Sequence, residues 1–199
     1  ARKPPLIMVI AADVANSEDV KRVLASIPDL RGIVHAAGVL DDAMLMQQSP
    51  DRFQKVAGPK INGAWHLHTQ TKDQTMDFFI LFSSVASLLG SPGQSNYAAA
   101  NAFMDGLSHH RKQRGLVATS INWGPWADVG MAASDVVLQR LMKDGWQPMN
   151  ASQGCDFIGH LLTARDLPQA AVLPIDWKQF AESIPGASEW STLSNLVSK

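Results

Sequence analysis

Apolar positions along the chain switch repeatedly between two periods. Short continuous runs rich in β-branched and aromatic residues alternate with stretches in which apolar side chains recur every three or four residues, and this alternation predicts a parallel α/β sheet. Residues 6–12, Leu-Ile-Met-Val-Ile-Ala-Ala, read as a buried strand. Asn16 or Ser17 then caps a helix whose Val20, Val23, Leu24 and Ile27 fall at i, i+3, i+4 and i+7. A second strand is expected over 32–36. Ser49-Pro50-Asp51 supplies a cap, a first-turn proline and an acid at the start of the next helix, which Pro59 should kink or divide before it ends near Thr71. The third strand, 77–82, is the most apolar. Beyond a loop rich in Ser, Gly and Pro at 84–94, a long helix is predicted over 95–114, stopped by Gly115, with a fourth strand over 117–122. Residues 123–134 carry two tryptophans, two glycines and a proline with no period, the composition of a binding loop or lid. Helices near 135–144 and 152–164 and a strand at 171–175 complete the count. Residues 1–183 read as one domain and 184–199 as a tail or linker.

Composition narrows the class. The chain has 199 residues, 17 basic against 18 acidic ones, 46% hydrophobic and 18% charged, a balance that excludes disorder and collagen. A net charge of −1 gives no general attraction to nucleic acid or an anionic membrane. No apolar run reaches the roughly 18 residues of a membrane span, and the opening Ala-Arg-Lys-Pro-Pro leads into too short a run for a secretory signal. A cytoplasmic location is the default expectation. Cys155, the sole cysteine, permits neither an internal disulfide nor a cysteine-rich metal site. His66 and His68 lie two apart and His109 and His110 are adjacent, so neither pair has the i, i+4 spacing of helical metal ligands; both read as surface or supporting residues, and no metal is expected. Arg111, Lys112 and Arg114 complement a helix C-terminus and read as a solvated face rather than a docking site for an acidic carrier.

The chemistry concentrates between the third strand and the long helix. The strand ends in Ser83-Ser84, and the helix opens on Ser95-Asn96-Tyr97, which holds the sole tyrosine. Strand ends of parallel sheets open onto the crevice where ligands sit, and Tyr97 and Asn101, four apart, share a helix face. A phenol can deliver a proton to a developing alkoxide when a nearby cation lowers its pKa, and Lys60 is a candidate cation. Taken singly, these residues also fit a plain reading, with Tyr97 a half-buried helix residue and Ser84 a turn former.

Their combination resembles the short-chain dehydrogenase/reductase superfamily and, more closely, the ketoreductase domains of modular type I polyketide synthases. The carriers are His35-Ala36-Ala37-Gly38-Val39-Leu40-Asp41-Asp42, Pro59-Lys60-Ile61-Asn62-Gly63-Ala64-Trp65, Leu81-Phe82-Ser83-Ser84, Gly93 to Phe103 and Asn122-Trp123-Gly124-Pro125-Trp126. The resemblance implies reduction of a β-ketoacyl thioester, held on the phosphopantetheine arm of an acyl carrier protein, with NADPH as cofactor. It implies Tyr97 as proton donor, Ser84 as hydrogen-bond donor to the substrate carbonyl, Lys60 as positive charge near the phenol and ribose, and Asn101 as support for both. The superfamily's usual lysine four residues after the tyrosine is Asn101 here, with the lysine upstream, the exchanged arrangement of polyketide ketoreductases. By the same resemblance Asp13 and Val14 lie against the adenine, Ala36, Ala37 and Gly38 beside the cofactor, and Gly124, Pro125 and Trp126 wall the nicotinamide. Asp42, Leu89, Gln94 and Met131 fall where substrate entry is controlled, Met131 in a lid with the helix after Ser134. Leu40-Asp41-Asp42 resembles the B-type signature, and Leu89 stands where A-type enzymes carry tryptophan, so a D-configured β-hydroxy product is expected.

One part of the pattern is absent from these 199 residues: no Gly-x-Gly-x-x-Gly run occurs to cradle a cofactor pyrophosphate. The expected fold is therefore an incomplete Rossmann-like doubly wound sheet, the latter strands of a short-chain dehydrogenase/reductase, with the first two βα units missing. In the usual strand order, residues 6–12 and 32–36 would sit about 14 Å apart, too far to hydrogen-bond. The expected partners are then the missing N-terminal half, the neighbouring synthase domains and the carrier protein; a rearranged strand or a swapped dimer are alternatives. A non-catalytic structural segment of a megasynthase, unable to bind cofactor alone, is the competing functional class.

Overall fold

The computed structural model describes residues 7–127, 135–164, 167–184, 186, 189–191, 193 and 196. Asn16 begins the first helix, α1 (Ser17–Ala25), by accepting hydrogen bonds from the Glu18 and Asp19 backbone N–H groups, which otherwise lack intrahelical acceptors. After β1 (Gly32–His35) and a 3₁₀ turn at Leu45–Gln47, Ser49 caps α2 (Pro50–Ala57) through the Arg52 N–H. Pro59 then divides the helix as expected: Gly58–Asn62 form one π-helical turn before α3 (Gly63–Thr71) resumes. A proline lacks the N–H that would continue the α ladder, and a π turn absorbs the mismatch. This turn carries Lys60 inward, to 3% exposure.

The remaining elements are β2 (Phe78–Ser84), the single turn α4 (Ala86–Leu89), α5 (Ser95–Gln113), β3 (Thr119–Trp123), α6 (Asp135–Lys143), α7 (Ala151–Thr163), β4 (Gln169–Val172) and α8 (Trp177–Ser183). The four strands form one parallel sheet in the order β1-β2-β3-β4. Alternation along the strands sends Ile33, Phe79 and Leu81 to one face, against Ala64 of α3 and Met104 and Leu107 of α5. Ile80, Ile121, Trp123 and Val172 go to the other, against Met149 and the α7 side chains Ile158 and Leu161. Both faces are thus covered, which accounts for near-continuous apolar strands. A smaller cluster of Trp146 and the α8 residue Phe180 takes in Trp190 and Leu193, so the stretch read as a tail contributes packed side chains.

Three expectations fail. Residues 7–12 form no strand, and Ile7 and Val9 are 83% and 93% exposed. An extended run joins a sheet only where a neighbour offers free N–H and C=O groups at ladder distance. Among the described residues no strand lies beside it, and it does not shift across to pair with β1. Arg111, read as part of a solvated face, and His68, read as a surface or supporting residue, are both buried. Their helices turn them toward each other: the Arg111 guanidinium meets His68 Nδ1 at 3.1 Å, donates to the Val117 carbonyl at 3.1 Å and lies 3.8 Å over the Phe79 ring. Finally, Trp177–Ser183, left without structure by the sequence pattern, form α8, capped by the Asp176 carboxylate.

Candidate active site

Three elements converge at the C-terminal end of the sheet. β2 delivers Ser83 and Ser84, the first turn of α5 delivers Tyr97 and, four residues on, Asn101, and the π turn delivers Lys60 from the side. Lys60 Nζ donates to Asn101 Oδ1 at 2.9 Å and to the Phe82 carbonyl at 3.1 Å, and it stands 5.0 Å from the centroid of the Tyr97 ring. Asn101 is fixed in turn, because its Nδ2 donates to the Tyr97 carbonyl at 2.8 Å. An amide whose oxygen faces an ammonium and whose nitrogen faces a carbonyl has one sensible orientation.

The electrostatics follow from burial. Burial pushes the Tyr97 phenol above its usual value, hydrogen bonds with Asn101 and Ser84 pull it down, and the negative charge of Asp42 pushes it up again. Asn101 and Ser84 thus both act on the phenol. Lys60 is brought down to about 8 by burial, with the charge of Asp105 opposing the fall. His35 is lowered to about 4, first by burial and second by the Lys60 charge. A histidine whose folded pKa lies below its ordinary 6.5 destabilises the fold as pH falls from 6.5 toward 4, where the unfolded chain binds the proton and the folded one does not. Denaturant titrations at pH 7 and at pH 4 are therefore expected to differ by about 3 kcal/mol from this group, and His35→Gln should flatten that slope.

The loop of Asp41 and Asp42 is tied to the start of α5. Gln94 Nε2 donates to Asp42 Oδ2 at 3.0 Å, and Ala43 N–H donates to the Gly93 carbonyl at 2.9 Å. Asn96, which the sequence reading passed over, locks this corner: its Nδ2 donates to the Asp41 carbonyl at 2.9 Å while its Oδ1 accepts from Tyr97 N–H at 2.8 Å. Asp41 pairs with Arg52 and with Lys55, the latter at 3.1 Å, and the Lys55 hydrogen bond leads in holding its carboxyl below the usual range. Asp42 is exposed at the rim.

The other sequence-read positions divide. Gly38 lies against the lysine, since a Cβ there would come within 2.9 Å of Lys60 Cε; Ala36 and Ala37 precede it past the end of β1. Val14 packs on Gly63, where a Cβ would meet its Cγ1 at 2.9 Å. Asp13 is exposed, and its Oδ1 accepts from Ala15 N–H at 2.9 Å, closing the turn before α1. Gly124 N–H donates to the Val172 carbonyl at 3.0 Å and Pro125 accepts from Met149 N–H at 3.0 Å. Trp126 stacks on Phe82 and abuts Gly154 of α7. These contacts anchor it on the α7 face of the sheet, opposite the face that holds α5. Leu89 packs toward Trp146 and Phe180. Met131 lies outside the described residues. Among the described residues no group of three metal-ligating side chains gathers.

A lysine, a tyrosine and a serine converging at a parallel sheet's C-terminal edge narrow the family, and residues 5–128 match the KR domain. The chain belongs to the KR-domain family. Over 193 residues this KR sequence is 42% identical to Polyketide synthase GfsA of Streptomyces halstedii, covering 96% of this chain and 3% of that protein. It is 42% identical over 175 residues to the spectinabilin polyketide synthase system protein NorB of Streptomyces orinoci, covering 85% of this chain and 8% of that one. A solved structure of A-type ketoreductases from a modular polyketide synthase superposes with a TM-score of 0.87 at 36% identity, over 95% of this chain and 41% of that one. A C2-type ketoreductase from a modular polyketide synthase gives 0.77 at 27%, over 87% and 38%. The KR chain thus spans a small fraction of the synthases and about two fifths of the A-type ketoreductase. Its four-stranded parallel sheet resembles the sheet of the polyketide synthase ketoreductases.

Proposed function

We propose that this chain carries the catalytic residues of an NADPH-dependent β-ketoacyl thioester reductase of polyketide biosynthesis, acting on a substrate delivered by an acyl carrier protein. The observation that carries the reading is the convergence of Lys60, Asn101, Tyr97 and Ser84: an ammonium at hydrogen-bond distance of the amide and 5.0 Å from the phenol ring, with Ser84 near enough to lower the phenol's pKa. NADPH, when bound, supplies the hydride. The residues present fit its nicotinamide and ribose half: Lys60 gives positive charge, and the bare Cα of Gly38 leaves room for the lysine's stem, which a Cβ would meet at 2.9 Å. The pyrophosphate cradle is not among these residues, and we assign it to two further βα units outside them. Asp13 and Val14 would meet the adenine from the turn before α1.

In this reading Ser84 Oγ donates to the substrate carbonyl as it gains negative charge, and Tyr97 delivers the proton to the same oxygen. Lys60 favours loss of that proton by placing a positive charge beside the phenol, countering the burial that holds the phenol's pKa up. Asn101 holds the lysine in place. Trp126 enters this account as a loop anchor, which is what its packing on Phe82 supports.

The proposed product is the D-configured alcohol. A-type and C2-type ketoreductases both superpose on this chain, so the overall fold does not decide the type and individual residues must. Asp42, held by Gln94, and the loop tied to Gly93 form one rim beside Tyr97. A rim fixed there biases the side from which the phosphopantetheine arm enters, and so the carbonyl face that meets the hydride. Chiral analysis of the β-hydroxy product from a completed domain is expected to show the D-alcohol in excess, and a predominantly L-configured product would overturn the assignment. The 199 residues alone are expected to bind NADPH weakly, lacking the backbone N–H groups that hold its most charged part; tight binding by calorimetry would refute this and place the cradle elsewhere. The non-catalytic alternative predicts no turnover even with the cradle restored.

A further inference from the structure

Tyr97, Asn101 and Asp105 recur every four residues along α5 and so form one stripe. The first two belong to the site just described; the third is buried and has been assigned nothing. Asp105 Oδ1 accepts from Ser120 Oγ at 2.6 Å, and its Oδ2 lies 2.7 Å from Ser87 Oγ and 2.9 Å from Asn122 Nδ2. Asn122 Nδ2 also lies 2.8 Å from Ser87 Oγ and 3.1 Å from Ser83 Oγ, and its Oδ1 accepts from Gln169 Nε2 at 2.9 Å. Ser83 Oγ donates to the Asn101 carbonyl at 3.3 Å. A buried carboxylate is costly unless donors surround it or a cation faces it. This one has three donors, and their connections run to both halves of the constellation: through Ser83 to the backbone of Asn101, and through Ser87 and Asn122 to the strand end that carries Ser84.

We propose that Asp105 is a positioning residue of the reductase site, which fixes the end of β2 through Ser87, Ser120 and Asn122 and serves as the buried counter-charge of the Lys60 ammonium. The proposal rests on the reading in which Lys60 and Tyr97 act together. Lys60 Nζ donates to Asn101 Oδ1 at 2.9 Å, one helical turn from Asp105 on the same stripe of α5, and the Asp105 charge acts on it from there. The Tyr97 ring centroid stands 5.0 Å from the ammonium, and His35 of β1 lies within reach of its charge. Of these, Asp105 is the acid that raises the lysine's proton affinity, while His35 is held neutral across the working range and contributes no charge there. Without Asp105 the lysine keeps its burial and loses its counter-charge, so it gives up its proton at lower pH. The site would then lose its cation where the intact protein still holds it.

The test separates this from a merely structural role. In the 199-residue chain with ¹³C-labelled lysine, the resonance absent from Lys60→Met is Lys60, and Asp105→Asn is expected to lower its titration midpoint by about one pH unit. In a completed ketoreductase domain the same variant is expected to shift the alkaline limb of the kcat profile down by the same amount, with KM changed less than kcat and with activity recovered at lower pH. An unchanged midpoint and limb in folded Asp105→Asn would overturn the proposal, as would activity lowered equally at every pH. A shifted midpoint with an unmoved limb would retain Asp105 as the counter-charge and contradict instead the part given to Lys60 in the reaction. Where Asp105→Asn alone fails to fold, the paired variant Asp105→Asn with Asn122→Asp returns a carboxylate to the network. It is expected to restore the midpoint; failure of both to fold would assign the carboxylate to the fold alone and overturn the proposal.

Discussion

Tyr97→Phe is expected to lower kcat for β-ketoacyl reduction about 10³-fold in a completed ketoreductase domain, with the fold intact. The substitution removes one oxygen and keeps the ring, so the packing of Tyr97 against Val56, Ala86 and Ala100 survives. It also keeps the Tyr97 backbone carbonyl that accepts from Asn101 Nδ2, so Asn101 stays placed to accept from Lys60. What disappears is the proton that the proposed reaction delivers to the developing alkoxide. KM should change little, since the phenol's contribution arises mainly in the transition state. Steady-state kinetics on the folded variant check this, and full activity would remove Tyr97 from the reaction.

Lys60→Met is expected to cost about 10²-fold in kcat and to abolish a pH dependence expected of the intact enzyme. Lys60 titrates near 8 in the folded protein, so the cation is present at neutral pH and fades as pH rises through 8. The kcat profile should therefore fall on that alkaline side, and the residual activity of Lys60→Met should lack that limb. Stability moves in the opposite sense. The folded pKa lies below the lysine's ordinary 10.5, so between 8 and 10.5 the unfolded chain binds more protons and stability from this group rises with pH. Methionine keeps the apolar stem and removes the buried charge, so denaturation of the variant should show no such rise. A variant that lost activity and retained the alkaline limb would show that another group titrates there.

How far this was readable from the chain depended on whether a feature was local. The division of the helix at Pro59 and the start of α1 at Asn16 were legible because a missing N–H and a short polar cap act within a few residues of themselves. Tyr97 and Asn101 were legible as a pair from their four-residue spacing. That spacing extends to Asp105, and the alternation in Ser120-Ile121-Asn122-Trp123 puts Ser120 and Asn122 on one face of β3; the signal for the buried network was present, yet nothing along the chain says that α5 lies over that face. Arg111 and His68 were misread for the same reason, since a cation beside other cations resembles a solvated face until a second helix is packed on it. Residues 6–12 failed differently: their apolar content fits a strand, but a strand exists only with a neighbour, and periodicity does not report whether one is there. The seat of Trp126 against Gly154 was out of reach because it depends on where α7 docks.

The central claim is that these residues serve hydride reduction of a β-ketoacyl thioester, and isotope transfer tests it most directly. A completed domain, joined to a glycine-rich half from a related ketoreductase, is given a β-ketoacyl thioester and NADPH deuterated at the nicotinamide C4. The product is then analysed by mass spectrometry. The account predicts a β-hydroxyacyl thioester with a single deuterium on the β-carbon, formed by the completed domain and not by its Tyr97→Phe variant. A folded, NADPH-binding completed domain that yields no deuterated alcohol would contradict it.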